Sequence, residues 1–227
     1  MVWRQAVAAD TWLGSRTGHE HAEENNEAAS VLLDVRKFYE SFSLRELRRR
    51  ALEQHVSHRL VHLAVALYTG LRLVRLEGRL AIVVFSWKGL PAGCGLAALW
   101  VAAYMIPPID AWLAARTGLH SIRLDVYLDD LVLQALAPRR TVAAIAADAA
   151  ISLTDVIELG FDAEVAEDKI AIVASSAAVA EEVRKRMGKK FGELPPCERT
   201  AAVNLGIDFG AGAARLGMYI THMKYHL

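Results

Sequence analysis

A chain of 227 residues with 54% hydrophobic composition can bury a sizeable core, so disorder is excluded as its default state. Its 26 Lys and Arg balance 26 Asp and Glu, and net charge therefore announces no strongly basic nucleic-acid binder. Two cysteines, Cys94 and Cys197, are too few for a disulfide framework and lack the paired spacing of a zinc site, which favours a reducing compartment.

In chain order, the first thirty residues are polar, mixed in charge and without periodicity apart from Trp3 and Trp12, as in a loose N-terminal arm. They contain no apolar segment of the kind that marks a secretory signal. "SVLLDVRKFYESF" then predicts a short strand from Val31 to Val35 that stops in a polar-aromatic turn. Between Leu44 and Thr69, Leu44, Leu47, Leu52, Val56, Leu60, Leu63 and Leu67 recur as the apolar face of two short helices would. Leu71–Leu76 and Leu80–Phe85 flank "EGR" as a β-hairpin.

No Asp, Glu, Lys or Arg occurs from Gly89 to Ile109, a run of 21 positions, while a membrane-spanning helix needs roughly 20. The run opens on "GLPAGCG", which is loop chemistry, and meets Pro107-Pro108. The expected helix is therefore Leu96–Ile106, too short to span, and no membrane partner is expected. "DVYLDDLVLQA" predicts a hairpin that turns at Leu128-Asp129-Asp130. Thr141–Leu159 reads as an Ala-rich helix with Gly160 just past its end, Lys169–Ser175 as a strand and Ala177–Lys190 as a helix. "AVNLGIDFG" and "AARLGMYI" close the chain as a strand pair. The order of elements predicts an α+β domain, an antiparallel sheet carrying helices.

Three segments carry candidate chemistry, and each has an ordinary structural reading beside it. Asp34, at a strand end, can cap the following turn. "WKGLPAGCGLAALW" lets backbone approach a ligand closely, and is equally a plain turn before a helix. Asp129 and Asp130 are common turn residues.

Taken in order, the three resemble the palm of reverse transcriptases. "DVRKFY" is similar to the first metal-binding motif, "GLPAGCGLA" to the template-and-nucleotide loop, and "VYLDDL" to the Tyr-x-Asp-Asp hairpin. "GFDAEVAEDKIAIVASS" is similar to the segment after that hairpin and "NLGIDFG" to the Leu-Gly turn near the primer, so the resemblance runs from about Ser30 to Gly217. It implies a palm with a ferredoxin-like core, an antiparallel sheet packed against helices. It also implies RNA-directed DNA polymerisation with two Mg²⁺ or Mn²⁺ ions, an RNA template, a DNA or RNA primer and deoxynucleoside triphosphates. In such chemistry the two ions lie about 3.5–4 Å apart and stabilise the attacking and leaving oxygens, and hard cations want oxygen ligands.

By the same resemblance Asp34, Asp129, the less certain Asp130 and the Val35 carbonyl would hold metal. Arg36, Lys37, Phe38, Tyr39, Pro91, Ala92 and Gly93 would meet the nucleotide. Tyr39 would exclude a 2′-hydroxyl, where RNA-dependent RNA polymerases carry a second Asp. Lys169 would protonate pyrophosphate, and Tyr127, Leu205 and Gly206 would lie along primer and template.

Some positions depart from the pattern. Ala92, Ala97 and Ala98 stand where Gln and a Ser-Pro pair are common, so polar contacts to template and primer would be lost. Phe38 and Glu40 are also atypical. Met1–Leu33 is too short for the fingers subdomain, and no thumb follows. The expectation is an arm at 1–29, a fingers remnant at most, a palm at 30–220 and a tail at 221–227. The chain would be a piece of a retroelement polyprotein, weak or inactive alone and located in nucleus or cytoplasm. The alternative expectation is an inactive nucleic-acid-binding or interaction remnant of such an element.

Overall fold

The structure, a computed structural model, describes residues 26–76, 79–91, 94–116, 122–192, 201–204 and 207–210. The chain divides into two compact units, Met1–Asp34 with Gly118–Thr154 and Val165–Leu227, and Val35–Thr117 with Asp155–Glu164.

The first unit is built on an antiparallel sheet whose central strand is β1 (Asn26–Arg36). On one side β1 pairs with β5 (Asp130–Pro138), which pairs in turn with β4 (Ile122–Tyr127). On its other side lie β7 (Ala171–Ala174) and the two-residue β6 (Glu164–Val165). The run Ala28–Leu33 is buried at every position, which is why it reads as continuous rather than alternating apolar sequence. Strand β1 starts five residues before the predicted Val31, because 26–30 pair one for one with 134–138. The charged residue in that extension is held from outside the strand: the Glu27 carboxylate accepts from the Ser176 hydroxyl at 2.5 Å and pairs with Arg139 at 3.3 Å.

Val142, Ala146, Ala150 and Leu153 form a buried stripe on the long helix that follows β5. A later helix, Ala177–Phe191, buries Val179, Val183 and Met187, and the Ser176 side chain caps its start by accepting from the Val179 N–H. Residues 201–210, read from sequence as one strand, contain two, Ala201–Asn204 and Ile207–Gly210, paired as a hairpin (β8 and β9). Their expected partner at 213–220 lies outside the described residues.

In the second unit come α1 (Phe38–Ser41), α2 (Leu44–Glu53), α3 (His58–Thr69), the hairpin β2 (Arg72–Leu76) and β3 (Arg79–Val84), and α4 (Ala97–Ala114). The remaining helices are α5 (Arg139–Phe161) and α6 (Ala177–Phe191). Phe42, Leu47, Ala51, Trp100 and Tyr104 are buried at the heart of this unit. The predicted apolar face of α3 is offset by one residue. Its buried residues are Val61, Ala64 and Tyr68, while Leu63 and Leu67 are 58% and 66% exposed. The small Ala64 and the Tyr68 hydroxyl, 2.8 Å from Cys94 Sγ, suit the inner side where two leucines one turn apart do not.

Pro107 and Pro108 do not end α4; both lie inside it. Each removes the N–H that would bond four residues back, freeing the carbonyls of Ala103 and Tyr104. Side chains of α2 satisfy both: Gln54 Nε2 donates to Ala103 at 2.6 Å and Arg50 Nη1 to Tyr104 at 2.7 Å. Arg50 also donates to the Gly160 carbonyl at 2.6 Å, so Gly160 is a residue of α5 rather than its terminator, and the left-handed position is Asp162, at φ 52°. With its full length of 18 residues, α4 is long and apolar enough to cross a membrane by length and composition, which corrects the shorter helix expected from the prolines. Eight of its residues, Trp100 and Tyr104 among them, are buried within the protein.

Candidate carboxylate site

In the first unit the β1–β5 ladder ends at Asp34 opposite Asp130. Directly opposed residues of an antiparallel pair project from the same face, so the two carboxylates share one side of the sheet. Tyr127 opposes Asp130 in the β4–β5 ladder, leaving Leu128 and Asp129 as a two-residue hairpin loop. Leu128 has φ 55°, in the region such loops normally fill with Gly or Asn. An L-residue with a branched side chain is strained there by about 1 kcal/mol or more.

Across β1, the Ala166 N–H donates to the Asp34 carbonyl at 2.8 Å. A 3₁₀ turn at Glu167–Lys169 follows, and it delivers Lys169, which therefore precedes strand β7 instead of opening it as expected. The Lys169 ammonium pairs with the Asp34 carboxylate. Asp34 is mostly shielded, its side chain 19% exposed, whereas that of Lys169 is 64% exposed.

Three carboxylates thus share one nearby cation. Burial, and then the negative charges of Asp129 and Asp34, push the Asp130 carboxyl up to about 6, with Lys169 opposing. The pairing with Asp34 raises the Lys169 ammonium above its ordinary value. Excess negative charge on oxygen ligands at one sheet edge suits a hard divalent cation in kind. The present side-chain arrangement is looser than a cage: among the described residues, no group of three or more His, Cys, Asp or Glu is gathered to hold a metal ion. Lys169 holds Oδ2 of Asp34, an oxygen that is thereby not free for such an ion.

The nucleotide candidates that are described belong to the second unit. Phe38 is buried, edge-on to Phe42 at 4.9 Å and to Tyr39 at 5.3 Å. Tyr39 is half-buried, and its carbonyl accepts from the Leu90 N–H at 2.8 Å, while the Gly89 N–H donates to Phe42 at the same distance. The glycine-rich loop is thereby laid against the segment after Asp34's strand. A Cβ on Gly89, which sits at φ 92°, would lie 3.2 Å from both the Tyr39 carbonyl oxygen and Glu40 Cα. This close approach requires glycine.

Lys37 is exposed and left-handed at φ 48°. Arg36 pairs with Glu164 at 3.7 Å, and Pro91 is half-buried. Val35 is buried, at 3% exposure. Ala92, Gly93, Leu205 and Gly206 lie outside the described residues, as does the side chain of Tyr127. Two features on the carboxylate face went unread in the sequence. Arg123 and Asp125 form an ion pair at 2.8 Å on β4, an i,i+2 pairing that strand periodicity alone would have placed on one face. Ser30 Oγ and Gln134 Oε1, opposite one another in register, are buried without a hydrogen-bond partner among the described residues.

No family model matches the chain, and no curated protein matches it. Among solved structures it is similar to telomerase from Candida tropicalis, in its apo form truncated of the C-terminal domain, with a TM-score of 0.53 and 10% sequence identity. The match covers 86% of this chain and 37% of the telomerase chain. Telomerase is related to reverse transcriptases, and the likeness supports a fold of that kind for this chain at the level of its α+β architecture.

Proposed function

We propose that this chain carries a reverse-transcriptase-like palm whose carboxylate edge serves nucleotidyl transfer, adding deoxynucleotides to a primer on an RNA template. The observation that carries the reading is the convergence of Asp34, Asp129 and Asp130 from a central strand and a neighbouring hairpin, with Lys169 beside them. The telomerase likeness and the ordered motifs support it from independent directions.

Asp34 and Asp129 would hold Mg²⁺ or Mn²⁺, with Asp130 and the Val35 carbonyl as further donors. A divalent ion there supplies positive charge where a phosphoryl transfer develops negative charge. For the protein's own groups, Lys169 has two roles to divide. Its ammonium offsets the carboxylates here; released from Asp34, it would be able to give a proton to a leaving pyrophosphate. Tyr39, anchored through its main chain to Leu90, would stand beside the sugar. Arg36 and Lys37 would face phosphate, and Arg36 must then leave Glu164. Positioning of primer, template and nucleotide governs the rate, since a displacement of about 1 Å can cost on the order of 10²-fold.

One observation favours a second reading, an inactive nucleic-acid-binding remnant. Lys169 occupies Asp34, and the carboxylates are not drawn together as a metal cage. Primer extension on poly(rA)/oligo(dT) with Mg²⁺ or Mn²⁺ decides between the two. The first reading expects extension, weak from this chain alone, that falls at least 10²-fold in Asp129→Asn, together with a rise in ribonucleotide incorporation in Tyr39→Val. Extension that survives Asp129→Asn, or a thermal shift by Mn²⁺ that is equal in wild type and Asp129→Asn, refutes the carboxylate site.

A further inference from the structure

The balanced charge of the whole chain conceals a local excess. Between Leu44 and His62 there are five arginines and three histidines against two glutamates. Both glutamates are engaged within α2. Arg49 donates to Glu46 at 3.0 Å and to Glu53 at 2.7 Å, and the buried Arg50 lies 3.8 Å from Glu46. Arg45, Arg48 and Arg59 are exposed, and none has an acidic partner among the described residues. Arg45 and Arg48 are one turn apart on α2, and Arg59 and His62 one turn apart on α3, so each pair shares a helix face.

The two helices bring these cations together. Arg48 Nη2 lies 3.4 Å from His62 Nε2, and the His62 ring stacks on His58 with centroids 4.1 Å apart and planes inclined by 33°. A neutral His62 ring can accept at Nε2 from the Arg48 guanidinium. Desolvation, then His58, then Arg48 lower the exposed His62 imidazolium below its ordinary range. The guanidinium groups leave this surface with positive charge that an incoming anion matches.

We propose that the exposed α2–α3 surface, formed by Arg45, Arg48, His58, Arg59 and His62, binds the backbone and bases of single-stranded nucleic acid. Planar guanidinium groups match phosphate oxygens and also stack on bases. The stacked, exposed imidazole rings offer a platform for a base, a use that neither an acidic peptide nor a lipid headgroup has for them. The surface goes beyond the carboxylate site and does not require that site to be catalytic.

The test is fluorescence anisotropy of the full chain with a labelled 20-nucleotide single-stranded RNA, titrated between 50 and 300 mM salt. The combined variant Arg45→Gln, Arg48→Gln, Arg59→Gln is expected to bind about 10-fold or more weakly at low salt. Its log–log salt slope should fall by about 2, since each single-strand phosphate contact contributes about 0.7. His58→Ala with His62→Ala is expected to weaken binding about fivefold or more with a smaller change in slope, the mark of lost stacking. Lys185→Gln with Lys189→Gln, exposed on α6, should bind as wild type does. Arg59→Gln alone, with a slope change of about 0.7, serves if the triple variant loses its helical circular dichroism. Unchanged affinity and slope in the arginine variants overturns the proposal. So does binding to polyglutamate or phosphatidylserine vesicles without binding to RNA.

Discussion

Two regions of this chain hold charge away from bulk water, and their accounts of partners are opposite. Around the double proline of α4, every exposed obligation is met. Arg50 donates to the Tyr104 and Gly160 carbonyls, lies 4.6 Å from the centre of the Tyr104 ring, and has Glu46 nearby, while Gln54 answers Ala103. At the sheet edge, Asp34, Asp129 and Asp130 have one ammonium near them among the described residues, and burial, then the neighbouring carboxylates, push Asp130 up to about 6. A charge with complete partners is part of the frame. A surplus that the described residues do not neutralise, held on a strained hairpin, is where a ligand's charge is wanted.

The contrast is broken most directly at Arg50. Arg50→Ala leaves two carbonyls without donors and removes the cation over Tyr104 and Phe161. Each orphaned acceptor costs about 1–3 kcal/mol and the ring contact about 1 kcal/mol, giving a loss of about 3–7 kcal/mol. A urea or thermal melt should show a large drop in midpoint. A melt within error of wild type would mean that α4 tolerates its prolines without α2. Gln54→Leu leaves the Ala103 carbonyl without its donor and should cost about 1–2 kcal/mol in the same measurement. Because Arg50 and Gln54, the residue just past α2, hold consecutive carbonyls of α4, the double variant should lose less than the sum once α4 has already kinked or frayed.

Much of the frame was legible because its signals are local. The apolar run at Val31–Val35, the hairpin at Asp125–Ala135 and the helices around 44–69 and 177–190 follow from periodicity and turn residues, and the structure places elements at each. The ordered motifs and strand-end positions led to Asp34 being set beside Asp129, whereas the ladder places Asp130 directly opposite it. What escaped depends on contacts distant in sequence. Proline reads as a stop unless a donor on another helix takes the freed carbonyl, and nothing near 107 announces Arg50 and Gln54. Leucines at Leu63 and Leu67 read as core because a period shows a face without showing which face is covered. The α2–α3 cations were hidden by summing charge over the whole chain, where acids elsewhere cancel them. The Lys169 pairing was hidden because a lysine beside a strand carries no mark of the partner that the following turn will give it.

The smallest expected effect has the opposite sign, and it tests the comparison from the side of the carboxylates. In the metal-free protein the folded Asp130 carboxyl titrates near 6, above the 3.8 of an unperturbed carboxyl, so the folded state keeps a proton that the unfolded chain has released. Stability therefore falls as pH rises from about 4 to about 6, and the full penalty is present above that range. Below about 4 both states are protonated and the penalty vanishes. A shift of this size corresponds to about 3 kcal/mol at most; because the side chain is only half-buried, solvent screening reduces it to the order of 1 kcal/mol. Asp130→Asn removes the charge while keeping the shape. It should raise Tm by about 2–4 °C at pH 7.5 and leave it unchanged at pH 4. Millimolar Mg²⁺ should narrow the difference at pH 7.5 by stabilising the wild type more than the variant, since a bound cation gives Asp130 the partner it lacks. If Asp130→Asn instead melts below wild type at pH 7.5 without metal, the carboxylate already has a sufficient partner within the protein. The sheet edge would then be framework like the Arg50 cluster, and the distinction between the two regions would fail.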